Sequence, residues 1–177
     1  WDDEVTVPGM PSKDADNTYT YTFAGWDKPV VNCAGNATYT AVYTSTYIDY
    51  TVVFKNWNGT VLSTKTYHWG DKVTAPADPT KPADNTYTYV FAGWDQEVTI
   101  VGGNKTYTAS FTPVYIEYTV EFKDYNGNTI SSGTYHYGDE VTPPSDPTRA
   151  ADNTYTHTFT GWDKEITDCT GDATYTA

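Results

Sequence analysis

A thirteen-residue stretch constrains the whole chain: ADNTYTYVFAGWD, Ala83 to Asp95, returns as ADNTYTYTFAGWD from Ala15 to Asp27 and as ADNTYTHTFTGWD from Ala151 to Asp163. Successive copies are 68 positions apart, and the same offset carries Trp1–Ala41 onto Trp69–Ala109 and Tyr137–Ala177 without a gap. A fixed period of this length marks a tandem array and has to be found before a fold is assigned. The 177 residues therefore divide into the C-terminal part of a first repeat (1–49), a complete second repeat (50–117) and most of a third (118–177). The chain starts without Met and stops inside an expected strand, so it is expected to be a section of a longer protein. No membrane insertion is expected of this segment, and its lack of a signal peptide is uninformative.

Within the repeated stretch Tyr87, Tyr89 and Phe91 alternate with Thr86, Thr88 and Val90, the period of two that defines a strand. Thr, Tyr, Val and Phe suit a half-buried pleated surface. The Gly93-Trp94 step turns the chain and folds a large ring back, so Trp26, Trp94 and Trp162, with Phe91 and Phe159, are expected to anchor the core of a module too small to leave its largest apolar groups outside. A second strand is expected where Tyr39, Ala41 and Tyr43, then Tyr107, Ala109 and Phe111, alternate after a Gly-Asn step. Tyr50 to Gly70 and Tyr118 to Gly138 read as hairpins, with Asn58-Gly59 and Asn126-Gly127 suited to type I′ turns. Tyr50, Val52 and Phe54 form the inner face of that hairpin, Val53 (Glu121 in the next copy) and Lys55 the outer. Leu62 and Ile130 are expected inside on the return strand, and the change of Lys65 to Gly133 suggests a bulge. The loops GDKVTAPADPTKP and GDEVTPPSDPTRA are too rich in proline for a long helix and read as crossovers held by Val73 and Val141. The sum is an all-β or β-rich chain, four strands per 68-residue unit, with little or no helix. Because STYIDY and PVYIEY join the repeats without a Gly-, Ser- or charge-rich spacer, the array is expected to be a stiff rod, on the order of 100 Å at roughly 3.3 Å per strand residue.

The order YTVxFKxxxGxxL, YGDxVTxPxDPT, YTxxFxGWD, with Gly59, Gly70, Pro76, Pro79, Phe91, Gly93 and Trp94 in sequence, resembles the Listeria-Bacteroides repeat, the internalin B-repeat type of long bacterial surface proteins. The resemblance covers nearly the whole unit. It implies small β-grasp-like repeats, an extracellular, cell-surface location, and a spacer or adhesion role; it carries no catalytic residues.

Composition narrows the chemistry. Ten basic against 23 acidic residues give a net charge of −13, which disfavours nucleic acid and keeps copies soluble and apart. Cys33 and Cys169 share a phase at which the middle copy has Val101, so both are expected to be small buried apolar groups rather than disulfide partners two repeats apart. No Cys and His stand at ligand spacing, so no metal is expected. The acids of the crossover do not alternate around a Gly as calcium ligands do; Asp27, Asp95 and Asp163 read as turn acceptors. His68 and His136 share a phase, but His157 replaces Tyr21 and Tyr89 and cannot be a general base there; no nucleophile, base and acid recur together. No enzyme and no cofactor are expected. Asn36, Asn58 and Asn104 begin Asn-x-Thr sequons, chemically open to glycosylation but also explained by turns, and Lys55 and Lys123 have no evident isopeptide partner. Trp57 and Tyr125 beside the hairpin turn, and Trp69 and Tyr137 after the return strand, are expected to be partly exposed: they either seal joints with neighbouring repeats or present rings to a glycan or a host surface protein. The leading expectation is a stalk or spacer, the alternatives a binding module and a self-associating filament segment.

Overall fold

The computed structural model describes residues 2–177. Nine strands and, among the described residues, no helix make up the chain: β1 (Tyr19–Trp26), β2 (Ala41–Tyr47), β3 (Tyr50–Lys55), β4 (Val61–Tyr67), β5 (Tyr87–Trp94), β6 (Lys105–Tyr115), β7 (Tyr118–Lys123), β8 (Thr129–Tyr135) and β9 (Ala173–Thr176). They form a β1-β2 ribbon, a sheet of order β4-β3-β6-β5 and a sheet of order β8-β7-β9. The chain is thus all-β with tandem repeats, and the Pro-rich crossovers between β4 and β5 and after β8 belong to no helix or named strand, in keeping with proline's missing N–H and fixed φ. Two compact units result, one reaching to Asp78 and taking in Gly93–Ser110, the other made of Pro79–Ala92 and Phe111–Ala177.

In the first unit β3 pairs antiparallel with β4, Tyr50 facing Tyr67 and Phe54 facing Ser63. On its other side β3 pairs parallel with β6, Val52 to Lys55 facing Lys105 to Thr108. Period-two alternation then puts Val52 and Phe54 on one face, where they close a core with Val73, Val101 and Tyr107, flanked by Tyr50, Tyr67, Trp94 and Val98. The crossover reaches this core because Gly70 donates to the Val101 carbonyl at 2.8 Å and Val101 to that of Asp71 at 2.9 Å, which brings Val73 in. The second unit repeats the arrangement. There β7 pairs antiparallel with β8 and parallel with β9, over a core of Val120, Phe122, Val141, Cys169 and Tyr175.

Several expectations need correction. The hairpin loops are not type I′, which requires positive φ at both central residues: Gly59 and Gly127 have φ of 85° and 86°, but among the described residues only Asp2 is a non-Gly with positive φ. Instead Gly59 donates to the Asn56 carbonyl at 2.9 Å and Asn56 to that of Thr60 at 2.8 Å, and Gly127, Asp124 and Asn128 repeat this. That is a type I turn closed by a left-handed glycine, the three-residue loop with its bulge. The register slips between Phe54 and Lys55, and between Phe122 and Lys123, so the bulge lies at Leu62 and Ile130 and not at Lys65 or Gly133, which pair in register with Val52 and Val120. Leu62 and Ile130 are consequently 39% and 40% exposed, the inner column of β4 being Ser63, Lys65 and Tyr67.

Cys169 is buried as expected, but Cys33 is exposed. Its backbone is held by the same exchange of hydrogen bonds, with Asp2 and Asp3. Cys169 shares a buried cluster with Val120 and Phe122, as Val101 does with Val52 and Phe54. The third copy of the thirteen-residue stretch is not in a ladder.

Candidate functional site

Of the rings singled out from sequence, Trp57 is 46% exposed, Tyr125 47%, and Trp69 and Tyr137 39% each. They are not brought together. Trp57 lies in the loop joining β3 to β4 and Trp69 just past the far end of β4, so the length of a six-residue ladder, about 20 Å, separates them; Tyr125 and Tyr137 are placed in the same way. Trp69 has its ring 5.9 Å from that of Tyr50 and lies over Gly102, where a Cβ would come within 3.9 Å of the indole. Tyr125 is covered by the Arg149 guanidinium at 4.3 Å, a cation over an aromatic face. Trp26, Phe91 and Phe159 are half-buried, and Trp94 and Trp162 pack edge-on against Phe54 and Phe122 with centroids 4.7 and 4.8 Å apart.

The most regular feature lies elsewhere, where one repeat meets the next. Only Ile48 and Asp49 separate β2 from β3, and only Ile116 and Glu117 separate β6 from β7. At the first joint the Tyr47 ring meets His68 and Tyr19 in tilted contacts, with centroids 4.3 and 4.6 Å apart. The Tyr50 hydroxyl donates to the Asn17 carbonyl at 2.8 Å, and Ile48 N–H to that of Thr18 at 2.9 Å. At the second, Tyr115 meets His136 at 4.5 Å and Tyr87 at 4.7 Å, Tyr118 donates to Asn85 at 2.8 Å and Ile116 to Thr86 at 2.9 Å. Each histidine is fixed by its own N–H, donated at 2.7 Å to Asp71 or Asp139. The joints differ in one polar contact: His68 Nε2 lies 3.4 Å from Asp49 Oδ1, where the second joint has Glu117. Tyr47, Tyr115 and their histidine partners were missed as a set by sequence reasoning. The signal was present in their shared phase on either side of a spacer-free join.

A second constellation starts each copy of the repeated stretch. Asp84 Oδ1 accepts the N–H groups of Thr86 and Tyr87 at 2.9 and 2.8 Å, and its Oδ2 the Tyr89 hydroxyl at 2.6 Å. Asp16 does the same with Thr18, Tyr19 and Tyr21. The Tyr hydroxyl, and then the two N–H groups, hold both carboxyls below the usual range, because hydrogen bonds to the charged form favour it. The Tyr89 phenol is pushed up by the same bond. In the third copy His157 Nε2 stands 3.2 Å from Asp152 Oδ2, and Asp152 is lowered chiefly by the N–H groups of Thr154 and Tyr155. Asp27, Asp95 and Asp163 accept N–H from Thr40, Thr108 and Thr176 at 2.9 Å each. The carboxylates thus serve as structural acceptors. Among the described residues no three His, Cys, Asp or Glu side chains gather as a metal-ligand set, and no helix is long and apolar enough to cross a membrane.

Comparison with known proteins agrees with this reading of the repeats. The profile of the Listeria-Bacteroides repeat domain matches residues 50–114 and 118–177, more than half of the chain. Two proteins of Evansella cellulosilytica are similar. One, named "Putative membrane protein", is 29% identical over 146 residues, covering 77% of this chain and 20% of that protein. The other, named "Putative Gly-rich membrane protein", is 25% identical over 181 residues, covering 92% of this chain and 19% of that protein. The chain therefore spans about a fifth of the length of these relatives. No solved structure matches it with significance. Two successive matches in phase with the 68-residue period place the chain in the Listeria-Bacteroides repeat domain family, whose members are repeat domains of bacterial surface-type proteins.

Proposed function

We propose that this chain is a non-enzymatic, extracellular spacer or adhesion segment of a bacterial cell-surface protein, in which each repeat holds the next in a set orientation. The observation that carries the reading is the joint. Two residues without a flexible spacer connect β2 to β3 and β6 to β7, and tilted ring contacts and the same hydrogen bonds recur at both places. A run of similar, short joints transmits orientation along a chain, which tethered beads do not do. Aromatic pairing adds about 0.5–1.5 kcal/mol beyond burial, enough to bias a joint without fusing it.

The test is a pair of spin labels across the first joint, on Thr44→Cys in β2 and Thr64→Cys in β4, both exposed, after Cys33 and Cys169 are replaced. A narrow distance distribution that broadens in Tyr47→Ala supports the spacer; a broad distribution in the parent sinks it. A second reading, binding of a glycan or host protein, is favoured by Trp69 lying exposed over Gly102 beside Tyr50. Saturable binding on a panel of glycans and matrix proteins, lost in folded Trp69→Ala, would move the function there.

A further inference from the structure

The direction of the ladders carries a property that a spacer does not require. Each described core is closed by a parallel pair made of the first strand of a repeat and the strand that begins some fifty residues later: β3 with β6, through Val52↔Lys105 to Lys55↔Thr108, and β7 with β9, through Val120↔Ala173 to Lys123↔Thr176. Tension along the chain enters the repeat at the N-terminal end of β3 and leaves through the C-terminal end of β6. Because the two strands run the same way, these forces pull them past one another along their length. All the hydrogen bonds of the pair then share the load and must fail together, instead of opening one after another.

Side chains reinforce this geometry. Phe54 and Tyr107 face each other in the ladder and stack at 4.9 Å with 19° between their planes; Phe122 and Tyr175 do so at 5.1 Å and 17°. Both pairs are buried, so sliding the strands drags stacked rings through a closed core. Asn104 Oδ1 and Asp172 Oδ1 accept the N–H of Thr51 and Thr119 at 2.8 Å, across 53 residues of sequence, and extend each ladder at its loaded end. The β1-β2 ribbon is the internal contrast. It is antiparallel, with Tyr19 facing Tyr47 at one end, so tension entering at one and leaving at the other opens it pair by pair.

We propose that each repeat is a mechanical clamp, a load-bearing element that resists end-to-end tension through its parallel β3–β6 or β7–β9 pair. Its biological use rests on the spacer reading; the resistance itself does not. Resistance to forced unfolding is set by the barrier along the pulling direction rather than by equilibrium stability.

The experiment is single-molecule force spectroscopy of the chain held by its ends. Two high-force ruptures are expected, each releasing on the order of 200 Å, at about 3.6 Å per residue for the 53 residues between Thr51 and Asn104 or Thr119 and Asp172. Attachment points then change the direction alone. With Cys33 and Cys169 replaced, handles on Asp49→Cys and Thr112→Cys load the β3–β6 pair in shear, whereas handles on Asp49→Cys and Lys105→Cys pull both strands from the same end and peel it. Denaturant midpoints check that both variants are folded. A several-fold higher rupture force in the first geometry supports the clamp; equal forces overturn it and leave the spacer standing. A broad label distribution across the joint sinks the spacer and leaves the clamp standing.

Discussion

The second and third copies of the repeated stretch differ at three of thirteen positions and adopt different secondary structure. Tyr87–Trp94 is a strand beside β6, whereas Tyr155–Trp162 belongs to no ladder. What persists is as telling as what is lost. Asp152 still accepts the N–H groups of Thr154 and Tyr155 at 2.8 and 2.7 Å, as Asp84 does those of Thr86 and Tyr87. Gly161 keeps a positive φ of 139°, as Gly93 keeps 111°, and Trp162 meets Phe122 at nearly the distance at which Trp94 meets Phe54. The turn and the anchor are therefore written into the stretch itself. Where the stretch is a strand, as β5, it has β6 beside it.

The two tryptophans should therefore be worth the same. Trp94→Ala and Trp162→Ala are expected to cost about 3 kcal/mol each, the largest effects predicted, read from separate urea transitions of single-unit variants. A Trp162→Ala cost well under half that of Trp94→Ala would show that the ladder, and not the stretch, seats the ring. The glycines should separate the copies. No atom lies within 4 Å of a Cβ at Gly93 or Gly161, so alanine there costs backbone strain alone, on the order of 1–3 kcal/mol. Gly93→Ala is expected at the upper end and Gly161→Ala lower, because a segment outside a ladder relaxes; equal costs, measured the same way, would erase the distinction.

The smallest effect concerns pH. A carboxyl lowered in the fold, as at Asp16, Asp84 and Asp152, contributes stability that is fully present above the ordinary carboxylate range and is lost as pH falls through the lowered value. A phenol raised in the fold, as at Tyr89, contributes stability present below about pH 10 and lost as pH climbs through the raised value. The middle copy thus weakens at both extremes, whereas position 157 supplies no alkaline limb to the third. His157→Tyr should give the second unit a new loss of stability above pH 10, and Tyr89→His should remove one from the middle copy. A pH titration of thermal midpoints that showed no change on either swap would mean that the side-chain bond to the aspartate carries no weight.

Much of the fold was legible in the sequence. The period located the repeats, and alternation located the strands, because both are properties of the chain alone. Val73 and Val141 were readable as core because nothing else in their proline-rich loops is apolar enough to bury. The failures share a cause in non-local geometry. An Asn-Gly pair suits two hairpin loops, and only the register of Phe54 with Ser63 and Lys55 with Val61 shows which loop forms and sends Leu62 outward. Cys33 and Cys169 have the same phase, but Cys169 lies in a core with Val120 and Phe122 whereas Cys33 is exposed. At the joints Tyr47 and His68 are 21 positions apart, a separation at which no periodicity points from one ring to the other.

The parallel pairing also sets a rule for how such a chain acquires its structure. β3 cannot close its core until β6 exists, and Thr51 and Asn104 are 53 residues apart, so each repeat is a high contact-order, slow-closing module. While β3 waits, β9 offers it nearly the same strand: Ala173–Thr176 reads ATYT where β6 begins KTYT. Tandem near-identity therefore carries a specific hazard, the exchange of closing strands between repeats. The short joints, with their tyrosine and histidine rings in contact, are placed where they limit how far a strand can stray before its own partner arrives.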